Sequence, residues 1–201
     1  MIEAKPHPGL FSSVHILEAW REGASLARGD RLFLALSSVM QEALVCKNSL
    51  TRHLEALSGS PLRVRLERQT LCRAWQDDSP FWSELHRLPT GDDILVRDAW
   101  LSVDRQELIL AHSEMPLGGV APEIRAAVDR GEEPLGIVFQ EREGEVSRQH
   151  LELARMCVPE VARRLGLASA EVFWCRRSLF LTGFTVRARI LELFLPFPPF
   201  L

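Results

Sequence analysis

Two charged side chains stand among residues that are otherwise expected to be buried. In "VRARILELF", Glu192 shares strand parity with Val186, Ala188, Ile190 and Phe194, because residues two apart on a strand point to one face. In "ILVRDAWLSV", Arg97 shares its face with Leu95, Ala99, Leu101 and Val103. An unpaired buried charge is unfavourable by roughly several kcal/mol, so each needs a partner. One arrangement is a closed pocket: Arg97 grips an anion through its planar fork, which suits a carboxylate, and Glu192 meets a polar group opposite. Another is a plain Arg97–Glu192 ion pair, or a bulge that shifts the register. Arg177 meets the same test, on the face of Phe173, Cys175, Leu179 and Leu181, so parity alone does not choose between these arrangements.

Other chemistry finds little support. Tyrosine is absent, which removes a tyrosine acid, base or nucleophile. The six histidines form no H-x-x-x-H, and the cysteines Cys46, Cys72, Cys157 and Cys175 form no C-x-x-C, so no metal site is expected. No G-x-S-x-G elbow is present. The glycine pair of "MPLGGVAP" reads as a loop rather than a phosphate cradle. His112, flanked by Ala111 and Ser113 in a strand, reads as structural.

The elements that must hold Arg97 and Glu192 are an α+β set. Apolar residues three and four apart predict helices in "SVHILEAWREGASLAR" and "RLFLALSSVMQEALVC", broken at Gly29-Asp30. "NSLTRHLEALSG" predicts a short helix capped by Asn48 or Ser49 and closed by Gly59. From Pro61 the period falls to two, and "PLRVRLERQTLCRAW" predicts a strand. "DDSPFWSELHRLPTGDD" reads as a loop or short helix. "ILVRDAWLSVDRQELILAHSEMP" predicts a hairpin turning near Asp104-Arg105-Gln106. Pro122 should open a short helix and Gly131 close it. "EPLGIVFQ" is a strand candidate, and "SRQHLELARMCVPEVARRLG" a helix that Pro159 should kink or divide. "AEVFWCRRSLFLTG" and "VRARILELFLP" read as paired strands, and "PFPPFL" as a rigid apolar tail. Helices followed by adjacent strands imply an antiparallel sheet flanked by helices.

At 201 residues the chain suits one domain, residues 1–201, with 1–48 as a helical N-terminal segment. A net charge of -3 gives no electrostatic footprint for nucleic acid. No window approaches the roughly 18 uncharged apolar residues of a membrane span. The start "MIEAKPHPGLF" lacks the apolar core of a signal peptide, so reduced cysteines and a cytoplasmic location are expected.

Taken in order, "SLTRHLE", "LVRDAWL", "EPLG", "RRSLFLTG" and "ILELFLP" resemble bacterial chorismate pyruvate-lyase, the 4-hydroxybenzoate-forming enzyme of ubiquinone synthesis. The likeness runs from about Ser49 to Pro199. It implies a chorismate lyase-like fold with an enclosed ligand pocket beneath helical flaps, acting as a monomer on chorismate without cofactor or metal. It also implies that Arg97 binds the ligand carboxylate, Glu192 lies near the ring hydroxyl, the Leu135 backbone contacts the ligand, and Leu50 takes a binding position that is methionine in other members. Replacing Arg97 or Glu192 should then abolish turnover with the fold retained. Two departures stand out: a Gly183-to-Glu192 spacing about two residues longer, and a longer N-terminal segment. The same fold serves as the effector domain of some transcription regulators, so an aromatic-acid sensor or carrier is the alternative. Such regulators carry an N-terminal winged helix, and the first 48 residues show no basic recognition helix.

Overall fold

The computed structural model describes residues 11, 14–72, 81–88 and 93–197. One antiparallel sheet carries the fold. Its strands are β1 (His15–Ile16), β2 (Arg21–Glu22), β3 (Arg63–Cys72), β4 (Ile94–Val103), β5 (Gln106–Pro116), β6 (Val146–Cys157), β7 (Val172–Thr182) and β8 (Thr185–Phe194). The order across the sheet is β1-β6-β7-β8-β5-β4-β3, with β2 also on β6. The helices are α1 (Gly23–Leu26), α2 (Arg31–Leu34), α3 (Ser38–Val45), α4 (Leu50–Ser58), α5 (Pro122–Arg130), α6 (Leu135–Glu143) and α7 (Pro159–Arg164).

Both predicted hairpins form. Asp104 and Arg105 take positive φ between β4 and β5, the backbone that a two-residue turn needs to follow the strand twist. Gly183 and Phe184 join β7 to β8. Ser49 caps α4 by accepting the Arg52 N–H, and Gly59 ends it in the left-handed conformation. Pro122 opens α5, and Gly131 closes it at φ +71.

Several readings are overturned. The predicted helix over residues 13–28 contains, from residue 14 on, only α1; β1 and β2 instead pair with the outer edge of β6. The second predicted helix splits into α2 and α3, because Asp30 and Ser37 each cap a new start. "EPLGIVFQ" is not a strand: Pro134 sets the N-cap of α6, which buries Val138 and Phe139. A short apolar run fits either period, and here the helix forms. "SRQHLELARMC" is not a helix but β6, paired with β7 on both sides of a break at His150 and Leu151. Its Leu, Glu, Ala and Arg favour a helix locally, but sheet pairing outweighs that preference. Pro159 divides this stretch as expected, standing at the first turn of α7. Residues 81–88 hold one 3-10 turn at Glu84–His86. Residues 77–80 and 89–92 of the 77–93 loop and the last four residues of the apolar tail lie outside the described residues.

Both faces of the sheet are covered. On one face, Leu50, Leu54, Leu101 and Ile109 form one apolar cluster, and Met115, Phe139, Phe180 and Ile190 form another. The opposite face packs Trp100, Leu110, Leu191 and Leu193 against α7 and Phe11. A bulge between β7 and β8 moves Val186 to this opposite side, where it meets Ile94 and Val96. Val186 therefore does not share the face of Glu192. Beyond the bulge, Ala188, Ile190 and Glu192 keep the expected parity.

Candidate functional site

Between the two apolar clusters lies a cavity of about 50 Å³. Its floor is the sheet: Ala99 and Leu101 beside Arg97 on β4, Ala111 and Ser113 on β5, and Ile190 and Glu192 on β8. Its roof is the first turn of α4 with Asn48 and Ser49, and the first turn of α6 with Pro134. The two roof turns meet at Gly136, where a Cβ would stand in ordinary contact, 3.6 Å from Ser49 Oγ. Both helices point their N-termini, and so the positive end of their dipoles, at the same space. The first N–H groups of a helix have no intrahelical acceptor, which leaves the backbone N–H of Leu50 and Leu135 to other partners.

All four residues singled out from the sequence, Arg97, Glu192, Leu135 and Leu50, line this cavity. Arg97 is 3% exposed. Its Nη2 donates to Gly131 O at 3.2 Å and Glu133 O at 3.1 Å, and its Nε is buried without a hydrogen-bond partner. Burial pulls the guanidinium down to about 10, so it remains a cation at neutral pH. Gly131, which supplies one of those carbonyls, takes φ +71 and packs so closely that a Cβ there would meet Leu66 Cδ2 at 2.7 Å. The plain Arg97–Glu192 ion pair does not form.

Glu192 is held instead by two other arginines. Its Oε2 accepts from Arg176 Nε at 2.5 Å, and its Oε1 from Arg148 Nη2 at 3.4 Å. Burial pushes its carboxyl up, but the charges of Arg148 and Arg176 outweigh this and hold it below the ordinary range. Glu192 is thus ionised. Arg176 also donates to Ala43 O and Cys46 O, tying the end of α3 to the sheet, and its Nη2 is buried without a hydrogen-bond partner. Arg148 donates to Ser178 Oγ at 3.3 Å and lies over the Phe180 ring. Its backbone N–H donates to Lys47 O, just before the α4 roof turn.

Arg148 and Arg176 were missed by sequence reasoning. Arg148 falls in the segment predicted to be helical, where strand parity is not applied. Arg176 was passed over for its neighbour Arg177, which lies on the opposite face. There Arg177 pairs with Glu152, donates to Phe81 O and stacks on Trp20. That face also carries a buried chain in which His112 Nδ1 meets Asp98 at 2.6 Å and Nε2 meets Glu114 at 3.2 Å, while Arg189 and Trp82 bind Glu114. His112 is structural, as read from the sequence, but charged: burial opposes the proton, and the two carboxylates still raise it to about 9.

An antiparallel sheet roofed by two helix N-termini, over a buried cation with no carboxylate of its own, defines an α+β protein with a cation-lined cavity. The chain matches the family described as chorismate pyruvate-lyase, Rv2949c-like, over residues 44–200. It belongs to that family. It is 33% identical over 135 residues to a probable chorismate pyruvate-lyase of Methylococcus capsulatus, covering 67% of this chain and 81% of that protein. With a probable chorismate pyruvate-lyase of Psychromonas ingrahamii it shares 30% over 158 residues, covering 76% and 80%. Among solved structures, the effector domain of PhnF from Mycobacterium smegmatis superposes with TM-score 0.54 at 16% identity, covering 73% of this chain and 88% of that one. A PhnF C-terminal domain gives 0.52 at 14% identity, covering 74% and 87%. These last likenesses are of fold. No helix among the described residues is long and apolar enough to cross a membrane.

Proposed function

We propose that the cavity binds chorismate and eliminates pyruvate from it, releasing 4-hydroxybenzoate. The observation that carries this reading is Arg97, a buried cation with only two carbonyls to hold it, lining the same closed space as an ionised Glu192. Arg97 pairs in register with Ser113, and Glu192 with Ala111. Their Cα atoms therefore stand two strands apart and two residues along, on the order of 12 Å. That spacing leaves room between the two head groups for one six-membered ring with its carboxylate and hydroxyl at opposite corners.

Arg97 would clamp the ring carboxylate, with the Leu135 N–H at the α6 N-terminus beside it and Leu50 packing on the ring. Glu192, being ionised, would accept from the ring hydroxyl. In the reaction, the C–O bond to the enolpyruvyl group and the C–H bond at the neighbouring hydroxyl-bearing carbon both break. The hydrogen ends on the enolpyruvyl methylene carbon, giving pyruvate, and the electron pair completes the aromatic ring. Aromatisation drives the step, so the chain's own task is orientation and fixed charge. A cavity of about 50 Å³ is far below the roughly 300 Å³ of a typical small-molecule site, so the α4 and α6 turns must part to admit a ring. Arg97 holds the segment leading into α6, and a ligand carboxylate competes for the same donors.

The PhnF effector-domain likeness supports a second reading, an aromatic-acid sensor or carrier. Incubation with chorismate separates the two. Pyruvate with 4-hydroxybenzoate is expected; 3-hydroxybenzoate would change the product assigned. No pyruvate, with thermal stabilisation by hydroxybenzoate, would favour the sensor.

A further inference from the structure

Two cations line the cavity, and the aromatic product needs only one of them. Arg97 answers one carboxylate. Arg148 and Arg176 flank the one carboxylate of Glu192, and Arg97 stands across the cavity on two carbonyls, so three guanidiniums face one carboxylate and two positive charges are left over in and around the cavity. Arg176 is committed to the protein: it is fully buried, binds Glu192 at 2.5 Å and holds two carbonyls of the α3 end. It is not among the residues lining the cavity. Arg148 lines the cavity, and its side chain is 8% exposed.

Arg148 is also loosely held. Its contacts with Ser178 and Glu192 are 3.3 and 3.4 Å, long for a charge-assisted bond, which usually measures roughly 2.8 Å. Its guanidinium lies 5.1 Å from the centre of the Phe180 ring, which lines the same cavity. The ring contact keeps the guanidinium beside the cavity, while its hydrogen-bonding edge has only distant partners.

We propose that Arg148 is a second carboxylate clamp that takes the enolpyruvyl carboxylate of the substrate, so that the cavity selects a dianion. This rests on the function proposed above. With the ring carboxylate on Arg97 and the ring hydroxyl on Glu192, the enolpyruvyl ether leaves from the carbon next to the hydroxyl. Its carboxylate therefore lies beside Glu192, where Arg148 is the cation facing the cavity. After elimination that carboxylate departs with pyruvate. The remaining hydroxybenzoate carries one carboxylate, on Arg97, and makes no demand on Arg148.

The test compares wild type, R148Q and R148K in kcat/KM for chorismate, read as pyruvate release, and in Kd for 4-hydroxybenzoate. Melting temperatures check folding. R148Q should lose about 100-fold in kcat/KM, mainly through KM, while product Kd moves less than about threefold. R148K keeps the charge but not the fork and should fall between; it carries the comparison if R148Q does not fold. Equal losses for chorismate and 4-hydroxybenzoate would mean that Arg148 merely holds Glu192, and would overturn the proposal. So would an R148Q kcat/KM within about threefold of wild type. No pyruvate from the wild-type protein would remove the underlying functional reading, and is seen before any variant is compared.

Discussion

Arg97→Met removes a buried charge that the folded protein does not need for itself. The fall of the guanidinium from 12.5 to about 10 corresponds to about 3 kcal/mol of burial penalty. Against that stand two hydrogen bonds to Gly131 O and Glu133 O, each worth about 1 to 1.5 kcal/mol. The two nearly cancel, so ligand-free R97M should keep its stability to within about 1 kcal/mol, or about 2–4 °C in Tm for a chain of this size. A ligand at a hundred times its Kd should stabilise the wild type by about 2.7 kcal/mol. R97M should show no such gain. Thermal unfolding with and without 4-hydroxybenzoate measures both quantities. A loss of more than about 3 kcal/mol in ligand-free R97M would make Arg97 a structural ion. Undiminished stabilisation by hydroxybenzoate would take the carboxylate site away from Arg97.

Glu192→Gln should behave in the opposite way. It leaves Arg148 and Arg176 facing a neutral amide, so it should cost about 3–5 kcal/mol of stability as well as turnover; a melting temperature above that of R97M would refute this. Retention of the fold on replacing Glu192, expected from the family resemblance, is thus not what its surroundings predict. Because Glu192 is held ionised below its ordinary 4.5, kcat/KM should show no acid limb between about pH 5 and 8, and a limb in that window would reassign its role. His112 titrates near 9 when folded against 6.5 ordinarily. Its stabilisation is therefore full below about pH 6.5 and lost as pH rises through about 9. Melting temperatures across that range should fall in wild type and flatten in H112Q.

Arg97 and Glu192 were legible because strand geometry converts residue number into a face, and the bulge in β8 lies before Ala188, so the parity of Ala188, Ile190 and Glu192 survives it. Asp104-Arg105, Ser49 with Gly59, and Pro122 with Gly131 were legible for a similar reason: each feature is decided within a few residues. The segments misread were those whose local preference opposes their environment. β6 is rich in helix formers, yet it is bordered by β7 and the short strands β1 and β2, which supply the hydrogen bonds a helix would have made internally. α6 has an apolar start of a length that suits either element, and Pro134 with the packing of Val138 and Phe139 decides it.

The sequence by itself determined that two opposite charges face inward from an antiparallel sheet, because parity is a property of neighbours along the chain. Who meets those charges was decided by tertiary structure. Arg148 and Arg176 reach Glu192 from separate strands, and Gly131 and Glu133 reach Arg97 from the lead-in to α6. These pairings join residues 16 to 44 positions apart. No local period encodes such distances; they follow from strand order and from the burial that forces each charge to find a partner.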